Sequence, residues 1–171
     1  MKKKYLIIVV LILNQNLALA QTESEINLLL NGISEMENSI EITKSEHAKK
    51  IIAYGEKSLL VLSHFFTDST LTYVKSECKN RILTKGELAI IMADRIERMP
   101  YFTITGIQHC TMTFCDNNPN IIEYYLGYNK KNAFKERYVE WLYSKERLKR
   151  VKGKARKERK TMIREWDRNT R

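Results

Sequence analysis

The chain has 171 residues and a formal net charge of +10 at pH 7, with 29% charged and 43% hydrophobic residues. After residue 20 no apolar stretch is long enough to span a bilayer, and the length allows one domain with a real core. The charge is uneven: residues 21–129 hold 10 Lys and Arg against 14 Asp and Glu, whereas residues 130–171 hold 17 against 6. The basic average therefore describes a C-terminal segment on a mildly acidic body.

Residues 1–20 read as an address. Met1-Lys2-Lys3-Lys4 is a basic start, Tyr5 to Leu13 is a nine-residue apolar run, and Ala18-Leu19-Ala20 supplies the small residues that signal peptidase requires. The run is shorter than the roughly 20 residues of a spanning helix. The expectation is a cleavable signal peptide cut after Ala20, a mature chain beginning at Gln21, and a periplasmic or secreted product. No Cys follows the cleavage site, which argues against a bacterial lipoprotein.

Thr22-x-x-Glu25 opens a helix through Ile26, Leu28, Leu29 and Leu30, with Asn31-Gly32 as its end or a kink. Residues 33–42 either continue it or connect it onward. Thr43-x-x-Glu46 is a second S/T-x-x-E box ahead of Ala48, Ile51, Ile52 and Tyr54, whose spacing predicts an amphipathic helix ended by Gly55. Leu59, Leu60, Leu62, Phe65 and Phe66 continue at helical spacing to Thr67-Asp68-Ser69. Residues 70–83 and 101–115 are richer in β-branched residues with partial period-two alternation, which permits short strands in either, with helix an alternative for 106–115.

Between those two segments, Thr84-x-x-Glu87 boxes the start of the most clearly bounded element, Leu88 to Ala93 is apolar on every face, and Pro100 closes it. A helix apolar all round is enclosed by neighbours, so 84–100 is predicted to be the central core helix. Asn118-Pro119 then supplies an N-cap followed by proline at the first helical position, ahead of a helix through Ile121, Ile122, Tyr124, Tyr125, Leu126 and Tyr128. Finally, Phe134, Trp141, Leu148, Ala155 and Met162 recur every seven residues within a strongly basic run. That pattern predicts one long helix with a narrow apolar stripe, docked over 133–142 and solvated and partly frayed beyond Gly153.

Two resemblances follow. Ile51-Ile52-Ala53-Tyr54-Gly55-Glu56-Lys57-Ser58-Leu59-Leu60-Val61-Leu62, with Asp68, resembles the helix–Gly–helix hairpin of a HEAT repeat, within a block spanning 46–68. The proline common at the Leu60 position of such repeats is missing, and no second copy recurs at their period. This resemblance implies an antiparallel helical hairpin, part of a short irregular α-solenoid, and carries no catalytic residue. The run Thr84 to Tyr125, through Thr84-Lys85-Gly86-Glu87, Met99-Pro100-Tyr101, Thr105-Gly106-Ile107-Gln108 and Asn118-Pro119-Asn120-x-Ile122-Glu123-Tyr124-Tyr125, is similar to a group of small exported proteins of Gram-negative bacteria. It implies one compact unit and no mechanism.

Residues that could carry chemistry are few. His47, His64 and His109 stand in no catalytic spacing, and His109 beside Cys110 is the one suggestive pair. There is no Gly-rich phosphate loop and no HExxH, and His109-Cys110-x4-Cys115 lacks a second ligand pair for zinc, so neither a cofactor nor a metal is expected. Asp94 and Glu97 with Arg95 and Arg98 read as surface ion pairs. Tyr101, Phe102, Tyr124, Tyr125 and Tyr128 concentrate aromatics as core and rim packing or as a protein-binding face. Of Cys78, Cys110 and Cys115, an oxidising compartment allows one disulfide. Cys78 with Cys110 or Cys115 would tie the segments on either side of the central helix, and Cys110–Cys115 is the local alternative.

These readings converge on a mainly α or all-α protein with at most a minor short β element, an irregular helical-hairpin bundle with a long basic C-terminal helix. Its divisions are a signal peptide (1–20), a helical domain (21–129) and a basic amphipathic tail (130–171). The expected function is that of an exported, non-catalytic binding protein of the cell envelope, in one form an immunity-type inhibitor of a toxin. Binding is expected through Trp141, Lys145, Arg147, Lys149, Arg150, Lys154, Arg156 and Lys157. The partner is another protein, or alternatively an anionic membrane surface or envelope polymer met by a peripheral factor. Nucleic acid, natural for such a run in the cytoplasm, is disfavoured after export.

Overall fold

The computed structural model describes residues 23–107, 118–127 and 130–169. The signal-peptide reading, the Thr22 half of the first box, Tyr128, and the predictions on His109, Cys110 and Cys115 lie outside the described residues. Among those residues the chain is mainly helical, with eight α-helices, short 3-10 turns and one two-stranded antiparallel sheet.

The core is built on α4 (Lys85–Ile96), in which every residue from Lys85 to Asp94 is buried. Its start is the reciprocal box that the T-x-x-E pattern predicts: Glu87 N–H donates to Thr84 Oγ1 at 3.3 Å, and Thr84 N–H donates to Glu87 Oε2 at 2.8 Å. Arg81 completes it with bonds of 2.6 and 2.9 Å to the same carboxylate. Burial pushes the Glu87 carboxyl up, but the Arg81 guanidinium and the Thr84 N–H outweigh it and hold the group below the ordinary carboxylate range.

The earlier helices pack around this post. α1 (23–34) runs past Gly32, which is not its end. The glycine serves close approach instead, since a Cβ there would stand 2.5 Å from the His47 ring. The chain then turns into a 3-10 helix, Ser39–Lys44, and α2 (Glu46–Tyr54) follows. Its cap is Ser45, whose Oγ accepts from Ala48 N–H at 3.0 Å; Thr43 of the predicted box lies inside the 3-10 helix. Gly55, at φ +61°, ends α2 and opens a 3-10 turn (Gly55–Ser58) that runs into α3 (Leu59–Phe65). Both α2 and α3 pack against α4.

The two β-branched segments part company. Residues 70–83 form the sheet: β1 (Leu71–Lys75) pairs antiparallel with β2 (Ile82–Thr84), Leu71 opposite Thr84. Residues 101–105 instead form a short helix, α5 (Tyr101–Thr105), with Ile104 N–H bonded to Pro100 O at 3.1 Å. Gly106 in the left-handed region, φ +70°, closes it by donating to Phe102 O at 2.7 Å. The Asn118-Pro119 start is also shorter than predicted. Asn118 Oδ1 accepts from Asn120 N–H at 2.8 Å, and a single 3-10 turn, Ile121–Tyr125, replaces the α-helix.

The long C-terminal helix is three helices. α6 (Lys131–Leu142) buries Phe134, Tyr138, Trp141 and Leu142 and belongs to the core, its Tyr138 ring 4.8 Å from that of Phe66. Ser144 restarts the chain as α7 (Lys145–Lys149), its Oγ accepting from Arg147 N–H at 3.1 Å. Gly153, at φ +61°, then begins α8 (Gly153–Asn169). A heptad stripe shows which side of a helix is apolar, but not whether a polar side chain will cap a new turn within it.

Candidate functional site

Four charged side chains from four elements meet where the C-terminal helices touch the body. Glu56 sits in the turn between α2 and α3, Glu97 at the end of α4, Arg147 in α7 and Arg159 in α8. Arg147 gives Nε and Nη2 to Glu97 at 2.8–3.2 Å and stands 3.4 Å from Glu56. Arg159 places Nε on both Glu56 oxygens at 3.0–3.1 Å, brings Nη2 to Glu56 as well, and reaches Glu97 at 2.9 Å. The remaining donors go to backbone: Arg147 Nη1 to Leu142 O at 3.0 Å and Arg159 Nη1 to Arg147 O at 3.1 Å.

The arginine side chains are only 3% and 5% exposed, against 16% for Glu97 and 42% for Glu56. Two buried cations are therefore matched to two carboxylates, which is what burying a guanidinium requires. The hydrogen bond from Arg159 draws Glu56 below the ordinary carboxylate range despite partial burial. A stack of the Tyr143 and Trp166 rings, 4.4 Å apart and 5° from parallel, adds a second anchor for α8. The helix predicted to fray beyond Gly153 is thus pinned through Arg159 and Trp166.

Two clefts flank this cluster. One, of about 500 Å³, lies between α8 and the α2–α3 turn and is lined mainly by apolar groups, among them Leu59, Leu60, Leu142 and Met162. The other, of about 460 Å³, opens on the far side beside Ile96, Arg98, Arg150 and Val151.

The structure divides the predicted binding residues. Trp141 and Arg147 are buried: the indole packs in the core beneath the guanidinium groups of Arg147 and Arg150, each 5.6 Å from its ring, so neither Trp141 nor Arg147 faces a partner. Lys145, Lys149, Arg150, Lys154, Arg156 and Lys157 are exposed. Of these, Arg150 pairs with Glu146 at 3.5 Å and Lys154 with Glu158 at 3.9 Å within their own helices. Glu56, Glu97, Arg98 and Arg159 were not singled out for binding by sequence. Glu97, read as a surface pair with near neighbours, finds its partners 50 and 62 residues away.

Asp94 is likewise not a surface ion-pair member. It is buried, accepting Met99 N–H at 2.8 Å and the Tyr101 hydroxyl at 2.9 Å, and so fixes the corner after α4. Burial raises its carboxyl above the usual value, and these bonds with the charges of Arg98 and Arg95 offset that only in part. A carboxyl raised by folding favours the fold when protonated. That contribution is full below the ordinary carboxylate range and is lost as pH rises through the folded value. Asp94→Asn keeps an acceptor for Met99 and removes the buried charge. It is expected to be more stable than the parent at pH 7 in urea denaturation, with the advantage fading toward about pH 4. A pH-independent difference, or a loss at pH 7, would contradict this assignment.

A second polar centre is internal. Glu123 is fully buried and accepts from Ser39 Oγ at 3.0 Å, Ser76 Oγ, Cys78 N–H at 3.3 Å and Asn118 Nδ2 at 2.6 Å. Cys78 itself is disulfide-bonded, and both candidate partners, Cys110 and Cys115, lie outside the described residues. Fully buried and engaged by four donors, this carboxylate joins segments distant in the chain.

Among the described residues, no helix is long and apolar enough to cross a membrane and no group of His, Cys, Asp and Glu could hold a metal ion. Comparison of the chain with protein-family models, curated proteins and solved structures finds no match.

Proposed function

We propose that this chain is an exported, non-catalytic helical binding protein of the cell envelope, and that it grips an acidic partner protein through the outward face of α8. An immunity-type inhibitor that neutralises a toxin by contact is one concrete form. The observation that carries this reading is the way α8 is held. Arg159 and Trp166 anchor one side, while Lys154, Arg156, Lys157, Lys160, Arg164 and Arg168 stand exposed on the rest of the helix. Only Glu158, Glu165 and Asp167 oppose them within the helix. A cationic face fixed on a folded body favours orientation and fast encounter with an acidic surface.

The alternative is a peripheral factor on an anionic lipid surface. An interfacial helix inserts an apolar face into the headgroup boundary, whereas Ala155, Ile163 and Trp166 of α8 are half-buried against the body. That placement favours the protein partner. The test is affinity capture from envelope extracts with the parent and with Lys154→Glu/Lys157→Glu/Lys160→Glu, beside co-sedimentation of both with anionic vesicles. A stoichiometric protein retained by the parent at about 0.15 M salt and lost by the variant is expected, since those charges act within roughly 8 Å at that salt. A clean eluate from the parent, or equal retention by both, overturns the reading. Vesicle binding alone transfers it to the lipid surface.

A further inference from the structure

The cleft on the far side of the ion cluster has a floor, a wall and a rim of different character. Its floor is Glu56, Glu97 and Arg159, with Arg147 directly behind, two guanidinium groups against two carboxylates. That floor is electrically balanced, so the sign of the cleft is set by its rim. Ile52, Ile96 and Val151 form the apolar wall, and Ile52 is substantially exposed. The rim carries two more arginines, Arg98 from the end of α4 and Arg150 from the end of α7.

Both rim guanidinium groups lie over aromatic rings. Arg98 lies 5.7 Å from the Tyr101 ring centre and Arg150 lies 5.6 Å from that of Trp141. Arg150 Nη1 also donates to Arg98 O at 3.3 Å, which ties the two arms of the rim together. A guanidinium beside a ring is attracted by it, and its remaining N–H groups can meet a planar anion. Among the described residues Arg98 makes no ion pair; Asp94, buried beneath the corner, attracts it at longer range. Among the described residues, the carboxylate paired with Arg150 is that of Glu146, 3.5 Å away and 54% exposed, which solvates readily when displaced.

We infer that this cleft is a receptor for a carboxylate side chain flanked by an apolar residue, presented by an acidic peptide segment, with Arg98 and Arg150 clamping the carboxylate and Ile52, Ile96 and Val151 receiving its neighbour. This rests on the reading of the protein as a binder of acidic partners and places the anchor of that contact off α8, at a cleft where two exposed arginines stand beside an apolar wall. It gives selectivity that a basic helix face lacks, since the wall favours an acid with an apolar companion.

The probe is a fluorescein-labelled peptide of alternating Glu and Leu, read by fluorescence anisotropy against the full mature protein. Its Gln-for-Glu counterpart and inorganic phosphate serve as competitors. Arg98→Gln/Arg150→Gln is expected to weaken peptide binding by about tenfold or more, the scale of losing charge-assisted bonds. Lys135→Gln/Arg137→Gln, which removes the same charge from α6, is expected to change it by less than about twofold. The Gln peptide should not compete, and phosphate should compete only weakly. Equal losses in the two double variants mean that bulk charge alone is responsible, and the cleft is not the receptor. Phosphate competing as well as the Glu peptide also overturns it, because the wall then contributes nothing. If Lys154→Glu/Lys157→Glu/Lys160→Glu abolishes capture of the envelope partner while Arg98→Gln/Arg150→Gln leaves both capture and peptide binding intact, this inference fails and the wider reading stands.

Discussion

Gly86→Ala is expected to lower the urea midpoint of the protein substantially, against the direction that helix propensity predicts. In an exposed helix interior this substitution stabilises by about 1 kcal/mol. Gly86, however, lies in the first turn of α4 where that helix crosses the end of α3. A Cβ there would stand 2.6 Å from Phe66 O, 2.7 Å from Asp68 O and 2.9 Å from Phe65 O. These are backbone atoms and cannot rotate aside, so the helices must separate. The bond from Gly86 N–H to Asp68 O, 3.0 Å long, weakens with them. Overpacking of this kind costs about 1–3 kcal/mol, and rigid neighbours place it at the upper end. The midpoint should fall with little change in slope. An unchanged or higher midpoint would show that α3 and α4 are not in this contact.

Glu123→Ala should cost more still. The carboxylate is the common acceptor for two serine hydroxyls, the Cys78 N–H and the Asn118 amide, which come from the 3-10 helix, the end of β1, the turn after it and the loop before the last 3-10 turn. Removing it leaves these donors in a closed space without an acceptor. Each buried donor left without an acceptor costs about 1–3 kcal/mol, and several are left here. Glu123→Gln retains one oxygen but turns an amide N–H₂ toward one of the donors, so it should fall between parent and Ala. Denaturation of the three proteins, each with its disulfide verified by thiol titration, checks the order. A stability of Glu123→Ala within about 1 kcal/mol of the parent would mean that water satisfies these donors and that the network does not hold the segments together.

The two effects differ in how far the chain itself announces them. The capping box and all-apolar body of α4 are local patterns, and the helix occurs where they place it because each rests on neighbours within four residues. The same holds for the mainly helical class and the cationic character of 145–164, whereas the strands permitted at 70–83 also need Leu71 to reach Thr84. Gly86, by contrast, reads as a slightly poor helix residue until α3 is laid across it. Nothing in N-P-N-x-I-E-Y-Y marks Glu123 for burial until Ser39 and Ser76 arrive from 84 and 47 residues away.

The basic run makes the same point most sharply. Period and composition mark 130–171 as helical, cationic and weakly apolar, but they cannot rank its 17 basic side chains. Arg159 is buried and Lys157 exposed because Glu56 and Glu97 lie 103 and 62 residues earlier and are brought to one side of α8. Arg147 and Trp141 look like surface candidates in the run and become interior packing for the same reason. Local spacing specifies which elements form and how their faces divide, since those energies act over one or two turns. Which charges are spent inside the fold and which remain for a partner is decided by contacts between residues distant in the chain, and only folding brings them within the few ångströms over which they act.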